Sequence, residues 1–291
     1  MKRFKRIIVN IMALSLVVVS CAGLTACNKD IRTMTLTISV YNYDEDAPKF
    51  ETVKLTVDLY GHLAPKTVDT ILKYDNSGYY NDAVFYELAT TGNSFKGQVM
   101  LGDVLDVDGV LELNAVKPEI DGEFERGGVT GSNLKAKKGS IGLYRSWYEG
   151  NNEGYAVSNA AMHSGRATWF VPTSDSGLSS YEEWFCVFAQ INLNNSKNAK
   201  ALELITQAVE EYTVDYVIYY TGTYDETKAD ENYGLTAHIV EQELFEMYED
   251  DAFVAEGAQL VCYNAQTVKI PVVDGNLSDG VAVKIVSAKV K

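Results

Sequence analysis

At 291 residues, with 46% hydrophobic and 22% charged side chains, the chain has a globular composition that excludes disorder throughout. Forty acidic residues against 25 basic ones give a formal net charge of −15, and no basic patch in the body of the chain offsets it, so nucleic acid is a poor partner. Five prolines, 22 glycines and 19 tyrosines point to a β-rich body with many turns, because Tyr, Val and Thr suit a pleated, half-buried surface.

The N-terminus reads as an export address. Residues 1–6 (MKRFKR) carry four positive charges, and residues 7–19 are apolar apart from Asn10 and Ser15, which is the n-region and h-region of a secretory signal. The apolar run is shorter than the roughly 20 residues a membrane-spanning helix requires. Leu24-Thr25-Ala26-Cys27 then resembles the lipobox of bacterial lipoproteins, in which the cysteine is lipidated and becomes the new N-terminus; an ordinary signal peptide with Cys27 incidental is the alternative. Cleavage before Cys27 removes Lys2, Arg3, Lys5 and Arg6 and no acid, leaving 21 basic against 40 acidic residues, a net charge of −19. Cys21 leaves with the signal and Cys27 takes the lipid. Cys186 and Cys262 are expected as two buried thiols, with one disulfide as the alternative outside the cytoplasm.

Residues 28–50 read as a tether running into a β-leaning stretch at 34–43 and an acidic turn, Asp44-Glu45-Asp46. Residues 51–60 alternate Val53, Leu55, Val57 and Leu59 with Thr52, Lys54, Thr56 and Asp58, the period of a strand with one buried face. Pro65 opens a helix with Val68, Ile71 and Leu72 on one face, and Asn76-Ser77-Gly78 stops it. Short strand-like runs follow at 83–90, 97–101, 140–144, 167–171 and 185–191, divided by turn residues, which argues for a barrel or sandwich. Residues 198–212 place Leu202, Ile205, Ala208 and Val209 on one face of a second helix, fit to lie over an open barrel end. Residues 212–224 are tyrosine-rich and β-like, 236–251 predict a third, acidic helix, and 281–290 close the chain as an alternating strand. No internal repeat or long low-complexity linker divides the chain, so one elaborated domain is expected.

From residue 53 the order of motifs resembles the cyclophilin family of peptidyl-prolyl cis-trans isomerases. Residues 53–60 followed by Ala64-Pro65-Lys66-Thr67-Val68 and then Gly78-Tyr79-Tyr80 and Val84-Phe85 match that family's opening strand, A-P-K-T-V helix and G-Y-Y strand. Further on, Gly102-Asp103 stands at the end of its Q-G-G-D, residues 119–124 at its I-x-x-E-F, and residues 139–145 at its G-x-L-S-M-A-R. Residues 167–171 stand at S-Q-F-F-I, 187–191 at V-F-G-K-V, and 285–290 at the closing strand. The resemblance implies a mostly β fold, a closed eight-stranded barrel capped by two helices, with an α/β insertion at about 213–280 before the last strand. The expected organisation is therefore a lipoprotein signal at 1–26 and a tether and extra N-terminal strand at 27–50, both read from their own residues, and by the resemblance a cyclophilin-like domain at 51–291.

The implied reaction needs no cofactor and no metal. Rotating the amide before proline costs roughly 18–20 kcal/mol because resonance is lost. The family's arginine donates to the proline nitrogen, a glutamine holds the substrate carbonyl and an apolar pocket takes the ring, which is stabilisation by preorganised donors. Here the arginine position is Glu87, whose ionised carboxylate can only accept. The glutamine position is Met100, with Gln98 two residues before it as a substitute, and Arg145 is the candidate replacement cation. The substrate pocket is expected from Phe85, Met100, Phe170, Leu178 and Phe185, with Gly177 at the family's pocket tryptophan.

Two functions follow: a lipid-anchored isomerase of weak turnover that assists secreted proteins to fold, or a catalytically inactive module that binds proteins. Expected partners are proline-containing peptides or unfolded secreted proteins, and the membrane through lipid on Cys27, at the extracytoplasmic face of the bacterial cell membrane. Other chemistries lack their patterns. Asp103, Asp106 and Asp108 before Gly109 read as an acidic turn, since no glutamate closes a calcium loop. His62, His163 and His238 show no metal-ligand spacing, and His163-Ser164 lacks a serine hydrolase context. Trp147, Tyr148 and Tyr155 read as loop packing, with stacking on a peptide or sugar as the alternative.

Overall fold

The computed structural model describes residues 30–43, 48–89, 98–128, 134–145, 162–178, 181–221, 236–245 and 263–291. The expected signal, Cys27, Cys262 and the Trp147, Tyr148 and Tyr155 group lie outside the described residues. Strands β1 (Ile31–Asn42) and β2 (Lys49–Tyr60) pair antiparallel along their whole length, Ile31 opposite Tyr60 and Asn42 opposite Lys49. Alternate side chains Met34, Leu36, Ile38 and Val40 of β1 and Leu55, Val57 and Leu59 of β2 are buried, as a period of two requires. Helix α1 (Pro65–Asn76) buries Val68, Ile71 and Leu72 and gives way to Gly78 at φ +73°.

Six short strands follow: β3 (Glu87–Leu88), β4 (Gln98–Leu101), β5 (Val104–Val107), β6 (Val110–Leu113), β7 (Ser140–Leu143) and β8 (Trp169–Pro172). A single turn of helix, α2 (Tyr181–Trp184), leads to β9 (Val187–Ile191) and α3 (Ser196–Glu211). The remainder is β10 (Thr213–Thr221), β11 (Thr236–Glu241), β12 (Tyr263–Pro271) and β13 (Val283–Val290). Among the described residues no helix is long and apolar enough to cross a membrane.

Among the described residues the main sheet has seven strands, in the order β13-β1-β2-β9-β7-β8-β4, every ladder antiparallel. β1, the strand read as an N-terminal extra, lies inside it between β13 and β2. The sheet is curled enough for one segment to reach both edges. Asp82 N–H donates to Ile285 O (2.8 Å) and Phe85 N–H to Val283 O (3.2 Å) on the β13 side, while Tyr86 and Met100 exchange both backbone hydrogen bonds (3.0 and 2.7 Å) on the β4 side. A second sheet runs β11-β10-β12-β3, and β5 and β6 form a hairpin of their own.

Strand alternation separates two cores. Phe85, Val99, Leu101, Trp169 and Val171 join the inner core, which α1 and α3 close with Val68, Ile71, Leu202, Ile205 and Val209. Their neighbours Val84, Tyr86, Met100 and Phe170 point to the other face and share a second core with Tyr216 and Ile218 of β10 and Val268 and Ile270 of β12. The second sheet therefore covers the outer face of the first. The acidic helix expected over 236–251 is not formed at its start: residues 236–241 are β11, paired along β10 from Tyr216–Glu241 to Thr221–Thr236, and helix is confined to 242–245 among the described residues. Ile239 and Val240 are β-branched, and a paired strand edge outweighs a weak helical period.

Candidate functional site

Residues 98–101 in β4 and 169–172 in β8 pair directly, which sets Met100 opposite Phe170 and Gln98 opposite Pro172. With successive side chains alternating, Gln98 and Met100 share the outer face. Phe170 is 0% and Met100 1% exposed. The Phe170 ring meets Phe185 edge-on (centroids 5.2 Å) and Tyr181 (5.8 Å), and Tyr181 stacks on Phe185 (5.2 Å). Tyr181 and Phe185 are four residues apart across the single turn of α2, which puts both rings on one side. Gln98 Nε2 donates to Tyr181 Oη (2.6 Å), tying the substitute glutamine into the same group.

Arg145 follows β7 and is 2% exposed. Its Nε donates to Trp184 O (2.7 Å), and its guanidinium lies 5.4 Å from the ring centroids of both Phe124 and Phe185. The fold thus gathers Gln98, Met100, Arg145, Phe170 and Phe185 around one aromatic group, with Tyr181 and Trp184 added by α2. Three predicted residues stand elsewhere. Phe85 belongs to the inner core, because it alternates with Val84 and Tyr86. Leu178 is buried but joins neither core. Glu87 lies in β3, laddered to Lys269 of β12 in the second sheet.

Tyr86 donates from its hydroxyl to Asp103 Oδ1 (2.7 Å), and burial raises the Asp103 carboxyl above its ordinary range despite that bond. Sequence reasoning passed over Tyr181, Trp184 and Tyr86. The first two stood in the run Tyr181-Glu182-Glu183-Trp184-Phe185, where aromatic residues at helical spacing were the available signal. Among the described residues no group of three His, Cys, Asp or Glu side chains is placed to hold a metal.

Neither a protein-family profile nor a curated protein matches the chain. Among solved structures the chain is similar to cyclophilins. A cyclophilin-type peptidyl-prolyl cis-trans isomerase of Cryptosporidium parvum, solved in the presence of the dipeptide Ala-Pro, shares 12% identity over 71% of this chain and 98% of its own, with a TM-score of 0.34. A second structure of that protein gives 12% over 72% and 94%, again at 0.34. The cyclophilin AquaCyp293 from Hirschia baltica gives 11% over 81% and 93%, at 0.33.

Proposed function

We propose that the chain is a divergent cyclophilin-like protein, exported and held by lipid on Cys27 at the extracytoplasmic face of a bacterial membrane, that binds other proteins without isomerising prolyl bonds at the family's groove. One observation carries the loss of turnover. Met100, Phe170 and Phe185, which stand at the pocket positions, are buried in one core with Tyr216, Ile218, Val268 and Ile270 of the second sheet. A proline ring finds that space filled by the chain's own side chains. Glu87 adds to the obstacle, since a carboxylate cannot donate to the proline nitrogen, and loss of one such donor costs about 10²- to 10³-fold in rate. The sequence blocks from 53 to 212, and the backbone hydrogen bonds by which residues 82–86 reach both edges of the seven-stranded sheet, support a closed cyclophilin-like barrel. The basic start, short apolar run and Leu24–Cys27 motif support export and lipidation.

A weak isomerase is the second reading, favoured by Arg145 and Gln98 lying in the aromatic group that contains Phe170. Isomerisation of a proline peptide separates the two. The full chain should accelerate it no more than a folded control protein does, and Glu87→Arg should not restore it, because the pocket stays filled. Turnover in the full chain that disappears in Arg145→Lys, with the thermal melt unchanged, establishes the isomerase instead. Metabolic labelling with a clickable fatty acid should mark the membrane fraction of the wild type and not of Cys27→Ser.

A further inference from the structure

Four aromatic rings gather where the β1–β2 ladder ends. Tyr41 faces Phe50 across the ladder with ring centroids 5.1 Å apart, Tyr43 lies 4.8 Å from Tyr41, and Tyr212, just past the end of α3, lies 5.5 Å from Tyr43. Phe50 and Tyr212 are 47% and 43% exposed. Tyr41 and Tyr43 are partly buried and hold the two exposed rings beside them, and large exposed rings that are clustered, rather than scattered singly, mark an interaction surface. Two of them are also anchored: Tyr43 Oη donates to Val272 O (3.2 Å) and Tyr41 Oη to Pro48 O (3.4 Å). The rings are therefore presented without the ordering cost a mobile loop would incur on binding.

Acidic side chains flank these rings: Glu211 adjoins Tyr212 in the chain, and Asp274 stands two residues from Val272, whose carbonyl accepts from the Tyr43 hydroxyl. The carboxylates of Asp274 and Glu211 act on the Tyr43 hydroxyl, and burial with these charges pushes its pKa up to about 12. Asp274 is exposed and takes φ +50°, followed by Gly275 at φ +78°, a tight turn that leaves its carboxylate in solvent. Lys49, opposite Asn42, is the neighbouring cation in sequence and alternates with Phe50 to the other side of the strand. The chain as a whole carries −19 once its signal is removed.

We propose that the platform of Tyr41, Tyr43, Phe50 and Tyr212 is a docking surface for an extended, lysine- or arginine-bearing segment of a partner protein. Cations seat over the electron-rich faces of tyrosine and phenylalanine, and Glu211 and Asp274 supply the opposite charge beside them. This names the partner chemistry for the binding role proposed above, but it uses rings outside the Phe170–Phe185 group.

The test is titration of the full chain, in detergent micelles, with a ten-residue peptide alternating lysine and glycine, followed by calorimetry and by NMR. A glutamate–glycine peptide and a cello-oligosaccharide serve as comparators. The basic peptide should bind and shift resonances of Tyr43, Phe50 and Tyr212. The double variant Phe50→Ala/Tyr212→Ala should weaken it at least tenfold, and Asp274→Asn/Glu211→Gln several-fold, with melting temperatures unchanged because the replaced side chains are exposed. Absence of binding, binding that survives removal of the rings and so reflects net charge alone, or preference for the oligosaccharide overturns the proposal. Accelerated isomerisation of a separate proline peptide, with shifts confined to Phe170 and Tyr181, would overturn the loss of catalysis and not this proposal, which the basic peptide alone decides, so the two failures are distinct.

Discussion

Glu123 caps a helix that its own sequence leaves uncapped. Ala64 precedes α1 with no side chain to accept from the first turn, and the Glu123 carboxylate takes those donors, Lys66 N–H at 3.0 Å and Thr67 N–H at 2.8 Å. Charge-assisted bonds at the positive end of a helix dipole are among the stronger ones. Glu123→Ala should lower stability by about 1–2 kcal/mol, measured by urea unfolding, with Glu123→Gln in between. Asp75, near the other end of α1, works against the fold. Its Oδ2 accepts from Val290 N–H (3.2 Å), but its Oδ1 is buried with no hydrogen-bond partner, and burial raises its pKa. A carboxyl whose folded pKa lies above its unfolded value of about 3.9 binds more protons in the folded state, so stability falls as pH rises from about 4 through the raised value. Asp75→Asn should flatten that fall and raise the melting temperature at pH 7. An equal slope in the variant would assign the pH dependence to other groups.

At the scale of elements, close approach decides which residue is tolerated. Gly142 of β7 lies opposite Phe170 of β8, and a Cβ added at Gly142 would stand against the Phe170 ring. The ring cannot yield, being fully buried. Gly142→Ala should cost roughly 1–3 kcal/mol, and its cost should shrink in a Phe170→Leu background, a coupling a double-mutant cycle measures. The β5–β6 hairpin turns on Asp108 and Gly109, both at positive φ. Asp-Gly between two apolar runs is a hairpin signal, and the acidic turn read at these residues is the tip of that hairpin. The helix expected over 236–251 gives way to strand at 236–241, because its acidic, apolar spacing fits a helix locally whereas β10 offers those residues an open edge; residues 242–245 are helical and 246–251 lie outside the described residues.

For the whole molecule, the consequence lies in the second sheet. If Phe170 lined an open pocket, truncating it would cost little stability; as a ring in the core between two sheets it should cost about 3–5 kcal/mol as Phe170→Ala. Denaturant unfolding decides the matter, and a loss below about 1 kcal/mol would show that the outer face is open. Arg145 belongs to the same assembly. A guanidinium 2% exposed between Phe124 and Phe185 helps hold α2 against β7 through Trp184 O, so its placement near the pocket serves packing as well as any ligand.

Sequence by itself determined the elements with strong local patterns. The alternation of 51–60, the Pro65 helix and the stripe of Leu202, Ile205, Ala208 and Val209 depend on neighbours within a few residues, and each appears as read. The motifs that resemble the cyclophilin blocks are legible for the same reason, being runs of a few adjacent residues. Tertiary structure alone decided which face each short strand shows and what covers it. A four-residue strand such as β4 or β8 is buried on both faces, so its sequence carries no alternation to distinguish inner from outer. Phe85 falls to the inner core and Phe170 to the outer one by parity with distant partners, and the outer core is completed by β10 and β12, more than forty residues beyond Phe170 in the chain.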